Sequence, residues 1–390
     1  MKIKPLPRKL EKINFSPIKE VAAKVEEARK RGIKIWNFSG GRPDLDTPAH
    51  IKKATQQAIE DGLVHYTPSI GLSGLREAVS RRYEEDYQLK IDPDEVIVTA
   101  GSTEAIYVAL QAILSEGDEV LAPQPMYVYY DGWSLLGGGR LVTFPLLEKD
   151  DFSLNAEELR AHIGPKTKAL ILTSPHNPTG QVFEEEELTK VAEMAIQEDF
   201  FVISDDVYNR FLYDDAKHFP IVKVPGMKER TIIIGSLSKT YAMDGWRIGY
   251  LISPRHLTSR FLKMHQYTVN CCNTFVQIGG QVALSGSQEC VRDTVKEFDR
   301  RRLLLLSYLD ELHMPCVRPR GAFYVFPSIT RFGLTSKEFS DFLIDEARVA
   351  VVPGDSFGPG GAGFVRMAYC MPYEEIEQAM ESVRTAVKKL

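Results

Sequence analysis

Residues 231–252 contain the feature that most limits what this chain can fold into, a lysine between two short apolar runs. The first run, Ile232 to Ile234, has the length of a buried strand, and the second begins at Ile248. Lys239 follows the first run, at a strand exit where a lysine is rarely placed for packing alone. The pattern predicts a lysine held in a site, although a surface turn with an ordinary lysine has the same local sequence.

The neighbours of Lys239 indicate the chemistry of such a site. A desolvated lysine beside another cation has a lowered pKa and becomes a nucleophile toward carbonyl groups. Ser236, Ser238 and Arg247 add two hydroxyl donors and a guanidinium group, which together suit a phosphate. An aldehyde cofactor with a phosphate would use both halves of the motif, and pyridoxal 5'-phosphate is such a cofactor.

The composition agrees with a globular enzyme. A chain of 390 residues, 44% of them hydrophobic, can bury a large core and predicts two domains. The net charge of −5 and the lack of a long basic run argue against a nucleic-acid partner. Five cysteines without metal-ligand spacing favour a reduced, cytoplasmic protein with no metal site. The N-terminus has no apolar signal core, and no apolar run approaches membrane-spanning length.

Strands alternate with helices between residues 95 and 250, and a shorter mixed pattern follows. This order predicts an α/β fold, with a large domain built on a mostly parallel sheet flanked by helices and a smaller α+β domain. We assign residues 1–16 to an N-terminal arm, 17–48 and 286–390 to the small domain, and 49–285 to the large, cofactor-binding domain. Later in the chain, we expect helical structure from about Ser285, a strand over 321–327, a helix over 336–347 and strands over 349–352 and 364–369.

Several predicted strands end in residues that suit a ligand. The turn at 100–103 opens a helix and can bind an anion through free backbone N–H groups, or be a plain strand-to-helix loop. Asn177, held between two prolines, suits a fixed side-chain donor, although a turn without function uses the same residues. Asp205 follows a buried strand, where it could pair with a pyridinium N–H or cap a helix.

Other residues remain ambiguous when taken singly. Tyr127 could stack on an aromatic ring or belong to the core, and Tyr66 is more typical of a structural tyrosine. The glycines of the loop that includes Gly41 allow close backbone approach to a ligand. Arg366 lies within an apolar strand, where an arginine usually pairs with a carboxylate, and a substrate carboxylate would serve.

The order of these motifs resembles that of the class I and II aminotransferases. These are pyridoxal-phosphate enzymes of fold type I, and the chain is most similar to the aspartate aminotransferase subgroup. The resemblance covers nearly the whole chain, and its most specific parts are the stretches 236–247 and 177–180. The matching motifs are Gly41-Arg-Pro-Asp, Tyr66, Thr99-Ala-Gly-Ser-Thr, Pro125-Met-Tyr127, Asn177-Pro-Thr-Gly, Asp205-Asp-Val-Tyr208, Ser236-Leu-Ser-Lys239, Gly245-Trp-Arg247 and Arg366.

The resemblance implies a catalytic role for Lys239, Asp205 and Tyr208. Lys239 would form the internal Schiff base and then shuttle a proton between the substrate Cα and the cofactor. Asp205 would keep the pyridine nitrogen protonated, while Tyr208 and Asn177 would hydrogen-bond the ring oxygen. This machinery would move an amino group from an L-amino acid to a 2-oxo acid by a ping-pong mechanism.

The resemblance also implies a set of binding residues. Tyr127 would stack on the ring, and Arg366 would grip the substrate α-carboxylate with help from Asn177 and Gly41. Tyr66 would reach the phosphate of the neighbouring subunit, in a homodimer with shared active sites. The phosphate would be bound within the subunit by Gly101, Ser102, Thr103, Ser236, Ser238 and Arg247.

Three places depart from the family pattern and leave the substrate open. They are Arg42, His176 and the stretch 270–273, which includes Cys271 and Cys272. We hypothesise that Arg42 helps to recognise an acidic side chain, with a structural salt bridge as the alternative. Another pyridoxal-phosphate reaction, such as β-elimination, γ-substitution or amino-acid oxidation, also fits the scaffold. A non-enzymatic ligand sensor with this fold is a third alternative, but the complete set of Lys239, Asp205 and Arg366 argues against lost catalysis.

Overall fold

The computed structural model describes residues 8–390, so the first seven residues of the predicted arm lie outside the described residues. The helices are α1 (Pro17–Lys30), α2 (Ala49–Glu60), α3 (Ser73–Tyr87), α4 (Ser102–Ile113), α5 (Tyr130–Leu136), α6 (Ala156–His162), α7 (Glu185–Gln197), α8 (Thr258–Thr268), α9 (Thr274–Ser285), α10 (Glu289–Glu311), α11 (Ser336–Phe342) and α12 (Tyr373–Ala386). The strands are β1 (Trp36–Asn37), β2 (Val96–Thr99), β3 (Glu119–Gln124), β4 (Arg140–Pro145), β5 (Thr167–Thr173), β6 (Phe201–Asp205), β7 (Thr231–Ser236), β8 (Gly249–Ile252), β9 (Tyr324–Val325), β10 (Val349–Ala350), β11 (Val352–Pro353) and β12 (Val365–Ala368).

A seven-stranded sheet in the order β2-β8-β7-β6-β5-β3-β4 forms the centre of the fold. β8 runs antiparallel to both of its neighbours, and the other pairs in the sheet are parallel. The predicted α/β class with a mostly parallel sheet is therefore confirmed.

The central strands are apolar throughout because helices cover both faces of the sheet. In β5, Leu170 and Leu172 pack into one hydrophobic cluster, whereas Ala169 and Ile171 pack into another. Since successive side chains of a strand point to opposite faces, this split places buried residues on both sides. The same two-sided burial explains the unbroken apolar runs in the sequence.

The sheet topology brings the motif-bearing strand ends to one edge. Thr173 of β5 pairs with Asp205 of β6, and Ser236 of β7 pairs with Gly249 of β8, which also pairs with Thr99 of β2. Parallel strands end at the same edge of a sheet, and ligands of α/β folds bind there. The loops that follow these strands therefore meet.

Two smaller sheets lie in the segments predicted as the small domain. β1 pairs in parallel with β10, and β12 pairs antiparallel with β11 and β9. A cluster that includes Phe298, Phe339, Ile376 and Met380 joins helices α10, α11 and α12 to these strands. The division into domains at residues 48 and 285 remains a prediction.

Two local strand predictions were wrong. The strand predicted over 321–327 is limited to β9, and the strand over 349–352 is split at Val351 into β10 and β11, which belong to different sheets. The helix predicted over 336–347 is present with these bounds and changes from an α-helix to a π-helix at Leu343. The helix predicted from about Ser285 is present as α10, whereas α8 and α9, which precede it, were not predicted. Both helices and strands of these segments are buried, so the spacing of apolar residues along the sequence does not show where each element begins and ends. Within residues 8–390, no helix is both long and apolar enough to span a membrane.

Candidate active site

A cavity of about 280 Å³ lies at the edge of the sheet where the motif-bearing strands end. Loops that follow β2, β3, β5, β6 and β7 contribute to it, as does the loop after β1. Most of the predicted site residues line this cavity, namely Gly41, Ser102, Thr103, Tyr127, Asn177, Asp205, Tyr208, Ser238, Lys239, Arg247 and Arg366.

Lys239 is half-buried directly after β7 and points across the cavity to the loop after β1. Its Nζ donates a hydrogen bond to the carbonyl oxygen of Gly41 at 2.5 Å. Burial lowers the pKa of Lys239, and the positive charges of Arg366 and Arg247 lower it further. A larger fraction of the amine is therefore uncharged than in an exposed lysine, as a nucleophile or base requires.

Asp205 is the last residue of β6 and is only 4% exposed. Its Oδ2 accepts a hydrogen bond from the Tyr130 hydroxyl at 2.6 Å, whereas its Oδ1 has no partner among the described residues. Burial raises the pKa of Asp205 to about 7, with a smaller contribution from the neighbouring Asp206. A buried carboxylate with a free oxygen calls for a hydrogen-bond donor from a ligand.

The N-terminus of α4 offers backbone donors suited to an anion, and we call this part of the cavity the phosphate cradle. Ser102 and Thr103 open the helix, where backbone N–H groups lack intrahelical acceptors, and both line the cavity. Gly101 precedes them at φ +83°, and a Cβ on this residue would lie 2.8 Å from Nη2 of Arg247. The glycine therefore allows the guanidinium group to lie directly against the loop.

Arg247 and Ser238 complete this cradle from the loop after β7. Arg247 donates to the carbonyl oxygens of Asp244, at 2.8 Å, and Ala100, at 3.3 Å. The backbone N–H of Ser238 donates to Oγ of Ser236 at 3.1 Å, so Ser236 shapes the loop without lining the cavity. Donors from two loops thus surround a space suited to a phosphate.

Arg366 of β12 lies at the other side of the cavity and is 2% exposed. Its Nη2 donates to the carbonyl of Ser39 at 2.8 Å, and its Nη1 donates to Oδ1 of Asn177 at 3.2 Å. The guanidinium group lies 4.5 Å from the ring centroid of Tyr324, and its Nε has no partner among the described residues. A buried cation without a carboxylate partner is suited to an anionic ligand.

Tyrosines line the space between these charged groups. The hydroxyl groups of Tyr208 and Tyr324 are 2.8 Å apart, and that of Tyr324 lies so close to Gly41 that a Cβ there would come within 2.6 Å. Tyr127 packs edge-on against Tyr130, with ring centroids 5.6 Å apart. The tyrosines hold each other, which fixes the hydroxyl groups that a ligand would meet.

Some singled-out residues do not reach the cavity of this chain. Tyr66 is 87% exposed, and Arg42 is also exposed, with its Nη1 4.0 Å from Oδ2 of Asp244. That ion pair favours the salt-bridge interpretation of Arg42. His176 is buried, and burial lowers its pKa to about 3, so it is a neutral hydrogen-bond partner of Thr179 at 2.8 Å. Cys272 is buried, and desolvation raises its thiol pKa to about 12.

Sequence reasoning missed several lining residues. Tyr130, which donates a hydrogen bond to Asp205, lies three positions after Tyr127 and just beyond the motif that ends there, and this spacing was an available signal. Tyr324 lies in a predicted strand that gave no hint of a ligand. Ser16 and Lys19, at the start of α1, also line the cavity although they are distant in sequence from every motif.

The residues present fit pyridoxal 5'-phosphate. The free Oδ1 of Asp205 can accept a pyridinium N–H, Lys239 offers an amine, and the α4 cradle offers phosphate donors. Among residues 8–390, no group of acidic, histidine or cysteine side chains is arranged to hold a metal ion. The fold and the site together define a pyridoxal-phosphate enzyme of fold type I.

Comparison with known proteins identifies the family. The model of "Aminotransferase class I and II" matches residues 33–383. The chain is 42% identical to the aspartate aminotransferase of Pyrococcus abyssi and 39% identical to aromatic-amino-acid aminotransferase 2 of Thermococcus litoralis. Each match covers 98% of both chains. The solved structure of Thermus thermophilus aspartate aminotransferase with maleate matches with a TM-score of 0.94 at 34% identity, covering 98% of this chain and 100% of that one.

The chain therefore belongs to the class I and II aminotransferases, and it is a pyridoxal-phosphate-dependent enzyme of that family. The predictions of family, cofactor and amino-group transfer are confirmed.

Proposed function

We propose that Lys239 is the proton-transferring residue of this aminotransferase and that the enzyme transfers the amino group of an L-amino acid to a 2-oxo acid. The observation that supports this best is the convergence of Lys239, the free Oδ1 of Asp205 and the unpartnered Nε of Arg366 on one cavity. When bound, pyridoxal phosphate supplies an electron-withdrawing ring that stabilises negative charge at the substrate Cα. Lys239 would shuttle a proton between the substrate Cα and the cofactor, and its lowered pKa favours the uncharged amine that accepts this proton.

The groups around Lys239 have distinct roles in this proposal. Asp205 accepts the pyridine N–H and favours the protonated ring. Tyr208, oriented by the hydroxyl of Tyr324, and Asn177, oriented by Arg366, hold the ring oxygen. The stiff backbone around Asn177 and the buried position of Tyr208 limit the movement of these donors.

Arg366 orients the substrate by its α-carboxylate. Its planar guanidinium group is fixed by Ser39 and Asn177, and a fixed fork matches the two oxygens of a carboxylate. This contact would hold the substrate in the cavity that Lys239 also lines.

We propose that acidic and aromatic amino acids are the substrate classes to test first. Lys19 lines the cavity and could attract a side-chain carboxylate, in agreement with the aspartate aminotransferases among the relatives. Tyr129 and Trp133 also line it and could pack against an aromatic side chain, in agreement with the aromatic-amino-acid relative.

We further propose that the enzyme is a cytoplasmic homodimer with shared active sites. Tyr66 and Tyr267 are 87% and 90% exposed, which is unusual for large aromatic side chains, and Arg247 is exposed beside the phosphate cradle. A second subunit that covers these residues would place Tyr66 near its partner's Arg247. The five free cysteines agree with a reducing compartment.

The experiment that tests the reaction is an absorbance titration of the holoenzyme with single L-amino acids and no 2-oxo acid. We expect the bound cofactor to change its visible spectrum once, with stoichiometric release of the matching 2-oxo acid. The amino acids that respond identify the substrate class. Continuous release of ammonia, sulfide or peroxide would instead indicate elimination or oxidation.

A further inference from the structure

A buried pair, His265 and Glu104, lies outside the cavity and has no part in the proposed reaction. Nδ1 of His265, on α8, donates to Oε1 of Glu104, on α4, at 2.7 Å. His265 is 0% exposed and Glu104 is 7% exposed. Two ionisable side chains at such burial need a reason to be there, because their desolvation is costly.

The second oxygen of Glu104 leads back to the phosphate cradle. Oε2 accepts the backbone N–H of Ala100 at 2.5 Å, and the carbonyl of Ala100 accepts from Nη2 of Arg247 at 3.3 Å. Ala100 immediately precedes Gly101, the N-cap of α4. Both backbone polar groups of Ala100 are therefore tied, one to Glu104 and one to a cradle residue.

The carboxylate lies in the first turn of α4, the end of the helix at which a phosphate would bind. A second negative charge there weakens the attraction of the helix for a phosphate. The charge of Glu104 thus disfavours phosphate binding, and the side chain contributes instead by orienting the loop. Its orientation depends in turn on His265, whose Nε2 has no partner among the described residues.

We propose that His265 is a positioning residue for the cofactor phosphate: it fixes the carboxylate of Glu104, which holds the Ala100 N–H and so sets the loop that opens α4. The inference rests on the proposed phosphate site at that helix. His265 touches neither the cofactor nor the substrate in this role. Its removal should affect the phosphate contacts and leave the Lys239 side of the cavity unchanged.

The test compares the affinities of the cofactor-free protein for pyridoxal phosphate and for pyridoxal, which lacks the phosphate. Binding is followed by quenching of tryptophan fluorescence, and the thermal midpoint of each variant is recorded without ligand. His265→Leu removes the donor, whereas His265→Asn keeps an amide N–H near the position of Nδ1. Loss of a hydrogen bond to a buried charged group predicts about tenfold to a hundredfold weaker binding of pyridoxal phosphate in His265→Leu.

We expect the affinity for pyridoxal to stay unchanged in His265→Leu and the preference for the phosphate to return in His265→Asn. Equal weakening of both ligands, or an unchanged preference, would overturn the proposal. If His265→Leu does not fold, His265→Gln replaces it in the test, because the glutamine amide lies near the position of Nε2 and does not replace the Nδ1 donor. Loss of the preference for pyridoxal phosphate over pyridoxal in this variant supports the positioning role of His265, and a preference like that of the wild type contradicts it.

Wild-type protein and Arg247→Ala separate this proposal from the one on which it rests. Wild-type protein that binds pyridoxal as tightly as pyridoxal phosphate, or an Arg247→Ala variant with undiminished preference, would reject the phosphate site itself. A wild-type preference that Arg247→Ala weakens and His265→Leu leaves intact would reject only the role of His265.

Discussion

Replacing Tyr130 by phenylalanine should raise the pKa of Asp205 and so weaken its hold on a protonated ring nitrogen. The Tyr130 hydroxyl donates to Oδ2 of Asp205 at 2.6 Å, and both residues are almost fully buried. Burial already raises the pKa of Asp205 to about 7, and this hydrogen bond opposes the rise. A hydrogen bond to a charged group contributes about 1.5–3 kcal/mol, which corresponds to an increase of about one to two pH units.

Difference infrared spectroscopy of the cofactor-free protein measures this effect directly. The band of the protonated carboxyl group should disappear near pH 7 in the wild type, one to two units higher in Tyr130→Phe, and be absent from Asp205→Asn. Thr173→Val is the matched control. It removes a hydroxyl that lies 2.5 Å from the Tyr130 hydroxyl but keeps the hydrogen bond from Tyr130 to Asp205. An unchanged midpoint in Tyr130→Phe, or a wild-type midpoint near pH 4, would refute the reasoning.

Three further substitutions test the assigned roles. Lys239→Ala should abolish transamination while the protein still binds pyridoxal phosphate, as single-turnover assays and absorbance would show. Arg366→Lys loses the planar fork, so kcat/KM should fall by about tenfold or more, mostly through KM, in steady-state kinetics. Gly101→Ala should weaken pyridoxal phosphate binding, since the new Cβ meets Arg247 at a backbone φ of +83°, and equilibrium titration measures this. If active sites are shared, mixing Lys239→Ala and Tyr66→Ala subunits under exchange should form one intact site per mixed dimer and raise the activity above the sum of the two separate variants, whereas separate sites predict no increase above that sum.

The sequence contained most of the site because its residues follow strand ends. Asp205 and Lys239 are separated by 34 positions, yet a parallel sheet predicts that residues at neighbouring carboxyl ends meet. The apolar runs of β5 and β6 are continuous because both faces of these strands are buried. The order of the strands, their register and the loops that become neighbours do not follow from these local patterns and could be inferred only from the family resemblance.

The residues that sequence reasoning missed are those whose role depends on tertiary packing. Tyr324 reaches the cavity because β9 pairs with β12, which also holds Arg366. His265 and Glu104 are 161 positions apart, and neither belongs to a recognisable motif. No local pattern distinguishes such side chains from ordinary core or surface residues, since their partners are set by the packing of whole elements.

The cavity contains several features that oppose folding in the absence of a ligand. Among residues 8–390, a buried oxygen of Asp205 and the buried Nε of Arg366 have no hydrogen-bond partner, and Lys239 loses hydration. The raised pKa of Asp205 has a definite sign: between about pH 4 and pH 7 the folded carboxyl retains a proton that the unfolded chain releases. The contribution of Asp205 to the unfolding free energy of the cofactor-free protein therefore falls as the pH rises through this window, whereas that of His176, which stays neutral in the fold, rises up to about pH 6.5. A cofactor that donates an N–H to Asp205 stabilises the charged carboxylate and offsets this loss, so binding should stabilise the protein more at pH 8 than at pH 5. The buried polar groups thus destabilise the empty site and are stabilised when a ligand binds. This is the behaviour expected of a site pre-organised for a charged ring and a carboxylate.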